Sequence, residues 1–445
     1  MAEINKAPRG TADVLPEDSY KWQYVEKTML ETAELYGYKE VRTPVFEHTE
    51  VFLRSVGDTT DVVQKEMYTF NDKGNRSITL RPEITAGTVR SMIEHGNICG
   101  TLPVKTCYVG SCYRYEKPQA GRLREFHQFG VECFGTADAS ADAEIILLAN
   151  NVLNNLGIKD LSLEINSIGC PQCRAKYHKA LIEYFNNKKS DLCGTCAERL
   201  ERNPMRIFDC KSPVCSEICK DAPTILEYLC NDCKEHFELV KKHLTAADIS
   251  YTINPKIVRG LDYYTRTVFE FVSGSIGAQS TVCGGGRYDG LVSQMGGAHT
   301  PSLGFAMGIE RLLLVMENQN TEFPKPATCD LYIGAMDNDA RIYGTKLAQM
   351  LRVEGFSVET DIVSRSVKAQ MKYANKISAK FSVIIGENEL SSKTAVLKNM
   401  QTGEQIETSL PDGLISAIYG AQVNCAMDNL TDSIGDLDSA LSTLK

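Results

Sequence analysis

Two strand-like stretches, Val104 to Glu116 and Arg124 to Phe134, flank a loop containing Pro118, Gln119, Ala120 and Gly121. The chain between them is predicted to double back as a long hairpin with a basic tip. Along the second strand Phe126, Gln128, Gly130, Glu132 and Phe134 share one face, and His127, Phe129, Val131 and Cys133 share the other. One face thus carries an amide and a carboxylate with a glycine between them, leaving room for something to lie against the backbone. A solvated sheet edge would display the same polar residues. Two flanking aromatics argue instead for a covered face, and a buried glutamate is rarely left unpaired, so a ligand site is expected here.

The remaining pattern is organised around that hairpin. Trp22, Val25, Met29, Ala33 and Tyr36 recur at helical spacing, with Gly37 as a stop. Residues 40–46 read as a short strand broken by Pro44, which suits an edge or an interface. A helix is predicted over 142–156, a strand over Leu161 to Ile165, and a charged, helical, cysteine-rich insertion from about 170 to 253. Val268 to Val272 reads as a strand. Gly284-Gly285-Gly286 reads as a turn leading into Arg287-Tyr288-Asp289-Gly290-Leu291, and Leu303 to Gly308 leads into a helix from Ile309. Pro324 and Pro326 mark a linker. Beyond it, strand candidates Leu331 to Ala335, Ser357 to Thr360 and Ser382 to Ile385 alternate with helices, which predicts a small α/β domain with a largely parallel sheet. From Asn424 the chain is acidic and poor in aromatics, and is expected to be a weakly ordered tail.

At 445 residues the chain has room for two to four domains. Its 48 Lys plus Arg against 57 Asp plus Glu give a net charge of -9, which excludes a uniformly cationic surface but not local basic patches. No apolar run is long enough to span a bilayer, and Met1 to Lys6 lack the apolar stretch of a signal peptide, so a cytoplasmic protein without membrane contact is expected. The missing G-x-x-x-x-G-K-[ST], H-E-x-x-H and G-x-S-x-G patterns argue against P-loop, zincin and serine-hydrolase chemistry.

Glu83 and Thr85 follow Arg81-Pro82 at i, i+2 and could address one cationic or hydrogen-bonding group. Arg114, Arg122, Arg124, Arg259 and Arg311 recur beside these features, and arginine's planar fork suits phosphate and carboxylate. For any one of them a surface role is the ordinary alternative. Arg365, Lys368, Lys372, Lys376 and Lys380 are spaced by three, four, four and four, so they are expected along one helical stripe that faces either solvent or a phosphate backbone.

Sixteen cysteines are unusual for a reducing compartment, and nine of them fall between Cys170 and Cys233. Cys170 and Cys173, Cys193 and Cys196, and Cys230 and Cys233 have the C-x-x-C spacing of zinc knuckles, and with Cys210 and Cys215 they are enough for one or two Cys₄ sites, with no particular four singled out. Small, reduced, buried side chains are the competing expectation.

Taken together these residues match a known family. The sequence resembles histidyl-tRNA synthetase, a class II aminoacyl-tRNA synthetase, over nearly its whole length. The stretch from Glu40 to Phe52 with Pro44 is similar to the class II dimer-interface motif. Tyr113-Arg114-Tyr115-Glu116 through Arg124-Glu125-Phe126 is similar to the ATP hairpin, and Gly308-Ile309-Glu310-Arg311-Leu312 to the third class motif. Val258 to Tyr264 and Gly285 to Leu291 resemble stretches specific to the histidine enzyme.

The resemblance implies an α/β architecture whose α+β catalytic core is an antiparallel sheet flanked by helices. It divides the chain into a core over 1–169 and 254–322, the helical insertion over 170–253, an anticodon-binding α/β domain over 328–425 and an acidic tail over 426–445. It implies Arg259, Arg114 and Arg311 as catalytic residues, and Arg114, Glu116, Arg122, Phe126 and Arg311 around ATP, with Phe126 stacked on adenine. Glu83, Thr85 and Gln128 would gather the α-amino group of histidine, and Glu132, Tyr263 and Tyr264 would bond its imidazole. Lys117, Gln119 and Arg124 would meet the acceptor end of tRNA(His), and Arg365, Lys368, Lys372 and Lys376 the anticodon arm. The implied reaction is formation of histidyl-adenylate from histidine and ATP with Mg²⁺, followed by transfer to tRNA, in a homodimer and without zinc chemistry. The rival from another class is the regulatory subunit of ATP phosphoribosyltransferase, which shares the fold but characteristically lacks the anticodon domain and parts of the catalytic set. A sensor of uncharged tRNA would need a kinase domain, and no kinase signature set is present.

Overall fold

The computed structural model describes residues 5–420 apart from 58, 59, 61, 276–280 and 327; the expected acidic tail lies outside the described residues. These residues divide into two compact units, one ending at Pro324 and the next beginning at Lys325.

The first unit is built on an eight-stranded sheet. Its order is Lys39–Glu40, Val104–Tyr113, Glu125–Phe134, Ser302–Gly308, Thr281–Arg287, Thr265–Ser273, Leu161–Ser167, Thr252–Ile253. Pairing is antiparallel except at the two ends, where the two-residue strands run parallel to their neighbours. Such a sheet can bury one face in a core and leave the other for a site. Pro16–Leu35 and Ala139–Asn155 cover the core face, joined by Ile309–Asn318. Val25, Met29 and Ala33 meet Phe129, Val131, Ile145, Phe269 and Leu312 there, all fully buried. That helix cover draws on the hairpin face carrying Phe129, Val131 and Cys133, and it leaves the Phe126, Gln128, Glu132 face free.

Two local readings need correction. Residues 40–46 are not one strand: Lys39–Glu40 joins the large sheet, while Phe46–His48 pairs with Ser77–Leu80 in a separate three-stranded sheet. Gly284-Gly285-Gly286 is not a turn either. It lies inside the central strand Thr281–Arg287 and is buried between two neighbours. The glycines are there for space, because a Cβ on Gly285 would come within 2.5 Å of the Phe305 Cβ and one on Gly284 within 2.5 Å of the Arg259 guanidinium.

The end of the glycine strand is anchored by a buried ion pair. Arg287 is fully buried, and its Nε and Nη2 donate to the Asp142 carboxylate at 3.0 and 2.6 Å. The remaining donors reach the Thr136 and Asp138 carbonyls and Asp289. His236, from the helix Asn231–Ala246, meets the same Asp142 carboxylate at 3.2 Å. Buried charge is tolerated here because every guanidinium nitrogen has an acceptor.

The cysteine-rich segment forms the helices Pro171–Asn186, Gly194–Arg202, Pro213–Ile218 and Asn231–Ala246, with short 3₁₀ turns between them.

The second unit carries a five-stranded sheet in the order Val358–Thr360, Leu331–Ala335, Phe381–Ile385, Thr394–Asn399, Gln405–Ser409. The first three strands are parallel, as expected; the last two are antiparallel and extend the sheet beyond the predicted strands. Val396 and Ile406 are half-exposed, so these strands lack the apolar alternation that announces a buried face. Among the described residues no helix is long and apolar enough to cross a membrane.

Candidate active site

Strand alternation on the free face of the large sheet directs Phe126, Gln128 and Glu132 into one pocket of about 370 Å³. Across the hairpin, ten consecutive residue pairs from Val104–Phe134 to Tyr113–Glu125 hold the two strands in register. Arg114, Glu116 and Arg122 reach the pocket from the hairpin connection. Glu83 and Thr85 come from the start of the helix Thr85–Glu94, Arg259, Tyr263 and Tyr264 from the loop before Thr265–Ser273, and Arg311 from the first turn of Ile309–Asn318. Every residue expected around ATP or histidine lines this one cavity.

The pocket has a cationic end and an acidic end. At the first, Arg114 donates from Nε to the Pro82 carbonyl at 2.8 Å and lies over the Phe126 ring, 5.1 Å from its centroid. Arg122 pairs with Glu116, and Arg311 donates to the Thr281 carbonyl at 2.6 Å. Burial, then repulsion from Arg122 and Arg114, push the Arg311 guanidinium below its ordinary pKa. Three guanidinium groups gather here, of which Arg122 pairs with Glu116 and, at 3.9 Å, Glu66; the end favours a polyanion, beside an aromatic face suited to a planar base.

At the other end Glu132 is fully enclosed and accepts hydrogen bonds from the hydroxyls of Tyr108 (2.9 Å) and Tyr288. Burial pushes its carboxyl up to about 8, against the lowering effect of the Tyr288, Thr85 and Tyr108 bonds. Burial likewise raises the Glu83 carboxyl. Glu83 Oε1 accepts from the Ala86 N–H at 2.9 Å, while Oε2 has no hydrogen-bond partner among the described residues. A buried carboxylate oxygen without a donor marks a place where a ligand cation or N–H belongs. The Tyr263 and Tyr264 rings meet tilted at 43° with centroids 4.7 Å apart, and Tyr263 meets Tyr288 edge-on at 5.5 Å.

Between the two ends lies Arg259. It pairs with Glu270, stands 5.7 Å from the Tyr264 centroid, and its guanidinium packs on the bare Cα of Gly284. Glu270 is held in turn by the Thr281 hydroxyl at 2.7 Å.

Some neighbours escaped the sequence reading. The space beside Gly130 is filled by the ring of Tyr108, its register partner across the hairpin, and not by a ligand. Tyr288 and Glu270 are the partners of Glu132 and Arg259, and Arg206 of the insertion lines the same cavity. The strand alternation that placed Glu132 would have found Tyr108 once the register was known; Arg206 carries no such signal.

The residues expected to meet nucleic acid lie elsewhere. Lys117 and Gln119 are exposed, and Gln119 bridges Arg122 through the backbone at the hairpin tip. Arg124 is engaged internally: its Nε donates to the Glu116 carbonyl at 3.2 Å and its guanidinium stacks 3.9 Å from the Tyr115 centroid. The basic stripe is shorter than predicted. Lys368, Lys372 and Lys376 are exposed on the helix Val367–Lys376, without an ion pair among the described residues. Arg365 and Lys380 fall outside that helix and are compensated by Asp361 and Asp330.

The eight singled-out cysteines resolve into two sets, Cys170, Cys173, Cys230, Cys233 and Cys193, Cys196, Cys210, Cys215. Within each set all the sulfurs lie within 4.8 Å of one another.

Comparison with known proteins gives a concordant result. A family model described as histidyl-tRNA synthetase matches residues 10–200 and 211–312, and one described as an anticodon binding domain matches 330–417. The histidine–tRNA ligase of Caldanaerobacter subterraneus subsp. tengcongensis is 57% identical over 404 residues, 91% of this chain and 97% of that protein. The histidine–tRNA ligase of Acetivibrio thermocellus is also 57% identical, over 93% of this chain and 99% of that one. Among solved structures, apo histidyl-tRNA synthetase of S. aureus superposes with a TM-score of 0.80 at 40% identity, covering 93% of this chain and all of the other.

Proposed function

The chain belongs to the histidyl-tRNA synthetase family and is a class II enzyme that ligates histidine to tRNA(His) with ATP; from that premise we propose how its pocket divides the work. The reading rests on one observation: the residues expected for ATP and for histidine line a single cavity, cationic at one end and acidic at the other.

ATP lies at the cationic end, its adenine against Phe126 and its phosphates among Arg114, Arg122 and Arg311, with Glu116 holding Arg122 in place. Mg²⁺ accompanies ATP as part of the substrate complex and shares the phosphate charge. Histidine lies at the acidic end. Its α-ammonium satisfies the unpartnered Glu83 Oε2, beside Thr85 and Gln128, and its imidazole meets Glu132, Tyr263 and Tyr264. An apolar side chain of similar size would leave Glu132 and its tyrosines without that partner, which is a strong basis for discrimination.

The histidine carboxylate oxygen then attacks the α-phosphorus, the bond to the bridging oxygen breaks, and pyrophosphate leaves. Arg259 stands between the two ends, where a fixed cation neutralises charge developing at the α-phosphate. The terminal ribose hydroxyl of tRNA(His) next attacks the acyl carbon and releases AMP. No protein nucleophile is required, and the protein's part is positioning and charge neutralisation.

The second unit is assigned to the anticodon arm, with Lys368, Lys372 and Lys376 as its contacts, and Lys117 and Gln119 to the acceptor end. Val45, Phe46, Leu53 and Phe70 are large apolar side chains left exposed around the three-stranded sheet, which supports assembly as a homodimer through the Glu40 to Phe52 region. Histidine-dependent exchange of pyrophosphate into ATP by the purified chain tests the ligase reading. Absence of exchange from a chain with an intact circular dichroism spectrum would overturn it.

A further inference from the structure

The insertion between Cys170 and Cys233 buries Tyr177, Leu181, Phe185, Leu200 and Ile207 in a small apolar core, but its secondary structure is short. Apart from the two helices at its ends, its elements are three to nine residues long, too short to persist without outside support. Eight thiols converge within it into two separate groups of four. The ninth, Cys219, belongs to neither: it is buried and points to the Ile207 carbonyl.

We propose that the insertion binds two structural zinc ions, one through Cys170, Cys173, Cys230 and Cys233, the other through Cys193, Cys196, Cys210 and Cys215. The inference goes beyond the ligase reading and does not depend on it.

Three geometric features carry it. First, a tetrahedral zinc with Zn–S bonds of about 2.3 Å holds its four sulfurs roughly 3.8 Å apart. Here Cys170 and Cys173 Sγ are 3.5 Å apart, Cys193 and Cys210 Sγ 3.7 Å, and no pair in either set exceeds 4.8 Å. An iron–sulfur cluster, with an inorganic core between the thiolates, needs wider spacing. Secondly, all three C-x-x-C pairs sit alike. Cys170, Cys193 and Cys230 are each the extended residue just before a helix, and Cys173, Cys196 and Cys233 are each in its first turn. Both sulfurs of each pair therefore gather at the positive end of a helix, where thiolates are favoured. Thirdly, backbone N–H groups already point at the sulfurs, from Cys230 to Cys173 Sγ at 3.1 Å, from Cys193 to Cys215 Sγ at 3.3 Å and from Ser212 to Cys210 Sγ at 3.4 Å. These are the outer bonds that orient thiolates around a metal.

The four-way meeting also separates zinc from disulfides. Disulfides within the C-x-x-C pairs would give no reason for Cys170 and Cys173 to meet Cys230 and Cys233 almost sixty residues later. A shared ion does. Both sets consist entirely of protein ligands, the closed arrangement of a structural site.

The two sites are nested. The outer one clamps the start of Pro171–Asn186 to the start of Asn231–Ala246 and closes the base of the insertion. The inner one brackets the segment from Cys196 to Cys210. From that segment Arg206 donates to the Gly260 carbonyl at 2.7 Å and Asn203 donates to Asp262 at 3.3 Å, next to Arg259 in the loop that walls the active-site pocket. The inner zinc thereby positions Arg206.

Elemental analysis of the full chain, expressed with zinc available and purified without chelator, should return two zinc and no iron per chain. Protein loaded with Co²⁺ in place of zinc should show the ligand-field absorption of tetrahedral tetrathiolate cobalt. Cys210→Ser and Cys230→Ser should each reduce zinc from two to one. If these variants fail to fold, the metal content of the unsubstituted chain still decides between the outcomes. Fewer than two zinc ions in it, iron in their place, or disulfides among these cysteines in non-reduced peptide maps would overturn the proposal.

Discussion

The Arg259 guanidinium lies on the bare Cα of Gly284, so closely that a methyl group there would stand 2.5 Å from its nitrogens. A cation that would otherwise sweep through solvent is thus pressed between a glycine strand, Glu270 and Tyr264.

Gly284→Ala should displace Arg259 while leaving the sheet folded. We expect histidine-dependent exchange to fall by about 10²-fold, the effect of misplacing a catalytic group by an ångström. Arg259→Ala should cost roughly 10²- to 10³-fold. The two together should be no worse than Arg259→Ala alone, since they remove the same function. Additive losses would mean that Gly284 acts through something other than Arg259.

Glu132 makes the stability of the free protein pH-dependent. Its folded carboxyl is raised to about 8, so between the unfolded value near 4.5 and pH 8 the native state holds a proton that the unfolded chain has lost. Stability from this group is full below pH 4.5 and declines as pH rises through 8. Glu132→Gln should flatten that decline, so the variant gains on the wild type as pH increases, while losing histidine binding. Thermal melts between pH 5 and 9 check it; parallel curves for the two proteins would refute the assignment.

Asp142→Asn removes the main counter-charge of buried Arg287 and leaves only the Asp289 carboxylate, at 3.1 Å, beside it. Breaking a buried pair by removing one partner costs about 3–5 kcal/mol, so a large drop in the denaturant midpoint is expected. Because the same carboxylate holds His236, proteolysis should also become faster within Asn231–Ala246. A change below about 1 kcal/mol would indicate that water replaces the pair.

Replacing Lys368, Lys372 and Lys376 together by Gln should weaken tRNA binding and lower the slope of log affinity against log salt by about 2 units. Amino-acid activation, measured by exchange, should be unchanged. An unaltered salt slope would return these lysines to the solvent.

The hairpin part of the site was legible because it rests on strand alternation, a local property, whereas the roles of the arginines and of Tyr263 and Tyr264 were implied by the family resemblance. Phe126, Gln128 and Glu132 could be placed on one face without knowing any partner. What could not be read was set by contacts distant in sequence. Three consecutive glycines suggest a turn when considered alone, and only Phe305 on one side and Arg259 on the other explain them as a strand. Tyr108 stands opposite Gly130 because of register, which the second strand by itself does not specify. Arg365 and Lys380 extend the lysine spacing numerically, yet the helix begins at Val367 and ends at Lys376, and acidic partners claim both, Asp361 four residues before Arg365 and the distant Asp330 for Lys380. The eight cysteines announced metal spacing but not their division, because sorting them requires the fold of the whole insertion.

The unbroken register of the hairpin makes it a ruler. Phe126 and Glu132 are six residues apart on one strand, roughly 20 Å at the rise of an extended chain. The separation between the Phe126 end of the pocket and its Glu132 end is therefore written into a single continuous ladder. No rotation between elements can alter that span. A slip of one residue would turn Gln128 and Glu132 into the core and bring Phe129 and Val131 outward, abolishing the site at once. Variation in what this enzyme accepts must then come from the parts laid over the ladder, the arginine and tyrosine loop and the insertion, and not from the ladder itself.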